Sequence, residues 1–150
     1  MAPEIQGEDG YTMDVDWWSL GILCYEMMVG FAPFTAKEGE DPDAVYKRIR
    51  KKKVLFPSVE KHGIEMSEEC KDFIRKCTEK APERRLGHEK DLEEVIGHPW
   101  FEEFDKEQFE SRKYEASYKP TLSADILDTS NFDDPETDKN EIGFSEVPKE

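Results

Sequence analysis

Few side chains in this 150-residue chain stand in an arrangement that could do chemistry unaided. His62, His88 and His98 have neither Cys nor carboxylate partners at the short spacings that hold zinc, which argues against a metal centre. Cys70 and Cys77 lie a helical i, i+7 apart with Phe73 and Ile74 between them, a pattern of packing residues rather than nucleophiles. Cys24 makes the count odd, so a disulfide framework is disfavoured and a reducing, intracellular and cytoplasmic setting is expected. Residues 47 to 53 are basic at six positions of seven. Such a run could bind phosphate or act as a nuclear address, but Val45 and Ile49 anchor it as a helix, and a solvated basic face is the simpler reading. Ser123, Thr129, Ser130 and Ser145 offer hydroxyls for phosphorylation in a stretch where solvated linker is the default.

The elements that must position these residues are mostly helices. Residues 14 to 29 read as one, with Asp14 as N-cap and Gly30 as its stop. Its apolar residues, including Val15, Trp17, Trp18, Leu20, Leu23, Tyr25 and Met27, go all the way round. That marks a helix buried on every side, too short to span a bilayer. Residues 43 to 53 form a second helix, with Val45, Ile49 and Tyr46 inward, ended by Pro57. Ser67 caps a third helix, which Pro82 stops, with Cys70, Phe73, Ile74 and Cys77 on one face. Residues 90 to 96 form a fourth, and His98-Pro99-Trp100-Phe101 closes the helical region. From Glu102 the aromatics are scattered without helical or strand period, as in an extended tail ordered by lying on another surface.

Composition agrees with this division. Hydrophobic residues are 36% and charged residues 38% of the chain, thin for a compact domain, and the apolar content lies mainly before residue 104. Of the net charge of −15, residues 102 to 150 carry −9, with fifteen acidic against six basic side chains. So acidic a chain disfavours nonspecific contact with nucleic acid or anionic membrane. No apolar run reaches the ~20 residues of a membrane span, and no secretory signal pattern is present.

The order of motifs resembles the lower lobe of a eukaryotic protein kinase. Ala2-Pro3-Glu4 matches the close of the activation segment, and Asp16-Trp17-Trp18-Ser19-Leu20-Gly21 the start of the lobe's central helix. Arg84-Arg85-Leu86-Gly87 and His98-Pro99-Trp100-Phe101 resemble the end of the domain. Asp128-Thr129-Ser130-Asn131-Phe132-Asp133-Asp134 is similar to the tail motif of the AGC group, most like the cyclic-nucleotide-dependent branch, with the NDR and Rho-kinase branch second. The resemblance implies a mainly α fold: residues 1 to 101 as the C-terminal half of a kinase C-lobe, helices F to I, and residues 102 to 150 as an extended AGC tail.

Residue by residue, Glu4 and Arg85 match the family's buried ion pair. Asp16 and Trp18 match residues that support the catalytic loop, and Glu26 a carboxylate that pairs with an arginine of the peptide substrate. Phe132 matches the tail phenylalanine near the nucleotide pocket, whereas Pro135 departs from the aromatic found there in the cyclic-AMP-dependent enzyme. Phe144-Ser145-Glu146-Val147 has the spacing of the group's hydrophobic motif, with Val at the second Phe position.

The glycine-rich loop, the strand lysine, His-Arg-Asp and Asp-Phe-Gly do not occur in these 150 residues, so no catalytic residue is expected among them. The expectation is a C-terminal piece of a serine/threonine kinase. It would supply the substrate platform and tail, with ATP and Mg²⁺ belonging to the complete enzyme. Its partners would be the remaining N-lobe and catalytic loop, and protein substrates with basic residues near the acceptor. The competing expectation is a non-catalytic interaction protein derived from a kinase.

Overall fold

A computed structural model describes residues 1–7, 10–125 and 127–132, and among these the regular elements are helices, with no strand. The chain divides into two compact units, Met1–Phe104 and Asp105–Glu150. The first opens with a 3-10 turn, Pro3–Gln6, followed by α1 (Asp14–Val29), α2 (Pro42–Lys51), the single turn α3 (Val59–His62), α4 (Glu68–Cys77), and α5 (Leu92–Ile96). Further 3-10 turns at Pro82–Arg84 and Pro99–Phe101 flank α5.

The core lies where α1 crosses α4. Cys70, Phe73, Ile74 and Cys77 of α4 are all buried, the i, i+3, i+4, i+7 stripe of the sequence, against Tyr25 and Val29 of α1. Gly21 permits this crossing, since a Cβ there would stand 2.6 Å from Cys77 Cβ. Tyr25 extends the core outward by donating its hydroxyl to the Leu55 carbonyl at 2.9 Å and packing on Phe56. Phe73 gathers His98, Trp100 and Phe101 with ring centroids 4.8 to 5.4 Å away. The buried His98 accepts from the Trp100 N–H at Nδ1 (3.2 Å), which leaves the proton on Nε2 to donate to Asp72 at 3.1 Å.

Several boundaries differ from the sequence reading, each for a local reason. Asp14 is the first residue of α1 rather than its cap, because its carboxylate turns to Thr12 and His88 instead of to the helix's own amides. Ser67 does cap α4, accepting from Cys70 N–H at 3.1 Å, but the helix ends at Cys77, well before Pro82. There the Thr78 hydroxyl donates to the Ile74 carbonyl (2.7 Å), and the returning chain takes the Lys76 carbonyl through Leu86 N–H. The helix expected from residue 90 begins at Leu92, after Asp91 at φ 50°. Lys106–Glu110 forms a helix, α6, in a stretch that shows no helical period, because the Asp105 carboxylate caps Gln108 N–H at 3.0 Å. α2 keeps Val45, Tyr46 and Ile49 only half-buried.

The largest difference is in α1. Its apolar residues surround it, yet among the described residues only one side is covered. Trp18, Gly21, Tyr25 and Val29 are buried, while Leu23 is 53% and Met27 75% exposed. In the second unit every described residue is exposed; local bonds such as Tyr114 Oη accepting from Asp105 N–H (2.8 Å) and Asn131 Nδ2 donating to the Thr121 carbonyl (2.9 Å) shape it.

Candidate functional site

The site begins at a short turn and the arginine that follows it. Pro82–Arg84 is a 3-10 turn in which Pro at the first position presets φ. It delivers Arg85 inward, and the residue is 1% exposed. A buried guanidinium needs acceptors for its donors, and this one has them. Nη1 and Nη2 donate to Glu4 Oε1 and Oε2 at 2.6 and 3.0 Å, a bidentate pair, while Nη1 also reaches the Asp14 carbonyl (2.8 Å) and Nε the Glu79 carbonyl (3.1 Å). One side chain thus joins the Pro3–Gln6 turn, the start of α1 and the loop after α4.

Trp18, also 1% exposed, lies against this arginine, with the guanidinium carbon 5.4 Å from the ring centroid. Its ring stacks on Phe34 at 6.5 Å with planes 10° apart. The neighbouring Trp17 packs over Gly87, where φ is +94° and a Cβ would meet the indole at 2.5 Å; glycine is required there on both counts. Beside it Asp14 accepts from the Thr12 hydroxyl and from His88 Nδ1, the latter at 3.2 Å. Burial works to raise the Asp14 carboxyl, but those two hydrogen bonds and the nearby charges of His88 and Arg85 bring it below its ordinary value.

The other side of α1 carries a different set. Asp16, Ser19, Leu23, Glu26 and Met27 are all exposed and recur at three- and four-residue steps, so they form one open stripe along the helix. The Ser19 hydroxyl bonds back to the Val15 carbonyl at 2.9 Å, and the Glu26 carbonyl accepts the Gly30 N–H that closes the helix.

Glu4, Arg85 and Trp18 therefore meet at one joint, and Asp16 and Glu26 share the open stripe on the helix that carries Trp18. Phe132 belongs to the second unit, where it is 78% exposed. Asp133, Asp134, Pro135 and the segment from Phe144 to Val147 lie outside the described residues.

The structure also assembles groups that sequence reasoning passes over. Glu40 takes Arg48 through both carboxylate oxygens, and this together with the Lys37 N–H holds its carboxyl down to about 2. The Glu40 and Arg48 pairing spans a loop and carries no local sequence signal. Lys80 packs its ammonium on the Trp18 and Phe34 rings, 4.4 and 4.7 Å from the centroids. The thiols are inert by comparison, since burial pushes Cys77 up to about 12.

A protein kinase domain family model matches residues 1–101. Serine/threonine-protein kinase N2 of Danio rerio is 38% identical over 135 residues, covering 89% of this chain and 13% of its own length. Serine/threonine-protein kinase sck2 of Schizosaccharomyces pombe is 40% identical over 134 residues, covering 89% and 19%, and the eye isozyme of protein kinase C of Drosophila melanogaster is 40% identical over 135 residues, covering 89% and 18%. All three are AGC-group serine/threonine kinases. The chain spans less than a fifth of the length of each.

Proposed function

This chain belongs to the protein kinase family, and we propose that residues 1 to 101 are the C-terminal half of a kinase lower lobe and residues 102 to 150 its AGC tail. The enzyme they serve transfers the γ-phosphoryl of Mg-ATP to serine or threonine of protein substrates. Within it the first unit acts as the peptide platform. The observation that carries this reading is the bidentate Glu4 and Arg85 pair, which ties the A-P-E turn to the Arg-Leu-Gly loop through a buried guanidinium.

The roles follow from the two sides of α1. The inner side, through Arg85 and Trp18, fixes the end of the segment on which a substrate backbone would lie. The open stripe faces the rest of the enzyme and its substrate: Asp16 toward the catalytic loop, and Glu26 toward an arginine near the acceptor. A carboxylate accepts the guanidinium fork with two oxygens, a geometry that lysine cannot match, so Glu26 would select Arg over Lys. Phe132 contributes to the nucleotide pocket from the tail. A kinase-derived protein that only binds partners is not favoured, since the relatives are serine/threonine kinases.

Mg-ATP would be held by the complete enzyme. No trio of His, Cys, Asp or Glu among the described residues could hold a metal ion, and the sequence lacks a glycine-rich phosphate cradle. What this chain's side chains would supply in the complete enzyme is placement, on which phosphoryl transfer depends heavily.

The test has two parts. Coding sequence upstream of Met1 should contain His-Arg-Asp and Asp-Phe-Gly in frame. The 150-residue chain alone should leave Arg-containing peptides unphosphorylated, while the longer product phosphorylates them. Turnover by the isolated chain above a buffer blank, or an upstream sequence without those motifs, would overturn the reading.

A further inference from the structure

The joint that holds the A-P-E turn contains a cation with no role in the ion pairing. Lys80 Nζ is shut off from solvent and finds no hydrogen-bond acceptor among the described residues. It lies 4.4 Å from the centroid of Trp18 and 4.7 Å from that of Phe34, rings that stack on each other, and Arg85 packs on the same indole at 5.4 Å. We propose that Lys80 is a positioning residue for the peptide platform. Its ammonium holds Trp18 and Phe34 in the stacked arrangement on which Arg85, and through it Glu4, rests. The inference deepens the kinase reading, and its role in catalysis rests on that reading.

A residue kept only for packing would not be a lysine here. Burying an ammonium without an acceptor is unfavourable, and the attraction of two ring faces offsets only part of that. The charged groups around it are few: Glu79 next in sequence, Arg85 with its bound Glu4, and Lys53 and Arg75, which line a small cleft with Lys80. Burial moves Lys80 down to about 8, with Glu79 opposing and Arg85 adding to the shift. For a base lowered from 10.5, the unfolded chain binds more protons between pH 8 and 10.5, so stability rises with pH across that window. Near neutrality the fold therefore carries this charge at a loss. What the charge supplies is direction: an ammonium is drawn to ring faces, whereas a neutral chain of equal length leaves the rings free to turn.

The test separates placement from packing. In the 150-residue chain labelled with 5-fluorotryptophan, the Trp18 fluorine resonance, assigned with Trp18→Phe, should titrate with a midpoint near pH 8. In Lys80→Met it should be flat and sit at the high-pH position of the wild type. Lys80→Met should also raise the melting temperature at pH 7 by roughly 2–4 °C. Lys80→Arg, which keeps a cation, should hold the low-pH position throughout. In the longer enzyme Lys80→Met should lower kcat/KM roughly 2–10-fold through the peptide KM, leaving the KM for ATP unchanged. A Trp18 resonance that does not move between pH 6.5 and 9.5, or a Lys80→Met variant that melts lower, overturns the proposal. A longer wild-type protein without phosphotransfer would instead sink the kinase reading, and the Trp18 titration stands or falls independently of it.

Discussion

The two sides of α1 differ in how completely they are answered by the rest of the chain. On the inner side the Arg85 guanidinium is met by Glu4 and the Asp14 carbonyl, the Asp14 carboxylate by Thr12 and His88, and the Trp18 ring by Phe34 and two cations, with the Lys80 ammonium alone left without an acceptor among the described residues. On the outer side Leu23 and Met27 stand open beside Asp16 and Glu26. A self-contained joint should respond to mutation through stability. An open face should respond through what it touches, with little change in the fold. The contrast thus sorts residues on one helix into two kinds of consequence.

The largest effect should come from breaking the joint at its centre. Glu4→Gln leaves the Arg85 guanidinium buried without its countercharge, a loss of about 3–5 kcal/mol. Against a total of about 5–15 kcal/mol this should melt the Pro3–Gln6 turn first, seen as rapid exchange of the Gly7 amide, and lower the urea midpoint sharply. A variant that keeps both would show the pair to be peripheral.

Next, Gly87→Ala drives a methyl into the Trp17 indole at a φ of +94°, and overpacking of this kind costs about 1–3 kcal/mol. A melting temperature unchanged from the wild type would mean that the loop relaxes freely.

The open face predicts the opposite signature. Glu26→Gln in the longer enzyme should leave the melting curve in place and reduce kcat/KM roughly 10–100-fold for peptides with Arg near the acceptor, the range of a lost charge-assisted hydrogen bond. Peptides without that Arg should be nearly unaffected. Equal losses on both kinds of peptide would move Glu26 to the structural side of the comparison.

The smallest effect is with pH. Asp14 and Asp72 both have carboxyls held below their ordinary 3.8, Asp14 against its burial by Thr12 and His88, Asp72 chiefly by Lys76 and then His98. On acidification the unfolded chain takes up these protons first. Their contribution is complete above about pH 5 and is lost as pH falls through 3.8 and below. Thr12→Ala should flatten the melting temperature against pH in that range. If the acid limb is as steep in Thr12→Ala as in the wild type, Asp14 is not its source.

Much of the inner side was legible because its signals are local. Ser67 before two glutamates, the four-residue stripe of α4 and Gly30 after α1 each determine one element by spacing alone. Glu4 and Arg85 are eighty-one positions apart, and no local pattern links them; only the resemblance of the motifs at either end did so. Pro82 looked like the stop of α4 because proline cannot continue a helix, but the Thr78 hydroxyl and the returning Leu86 amide ended it sooner. Lys80 escaped notice because a lysine three residues past a helix reads as solvated until the chain folds two rings over it. The all-round apolar pattern of α1 led to the expectation of a helix buried on every side, whereas among the described residues one side is covered and Leu23 and Met27 on the other are exposed.

Gly21 and Cys77 meet almost backbone to backbone, with the Thr78 methyl 3.1 Å from where a Gly21 Cβ would stand. With no layer of side chains between the two helices at that point, volume can be exchanged there but not added. A methyl gained at position 21 demands one surrendered at 77, so the two sites cannot drift independently through substitution. Gly21→Ala and Cys77→Gly would be worse singly than together, and a lineage changing one without the other would have to pass through a helix crossing forced apart.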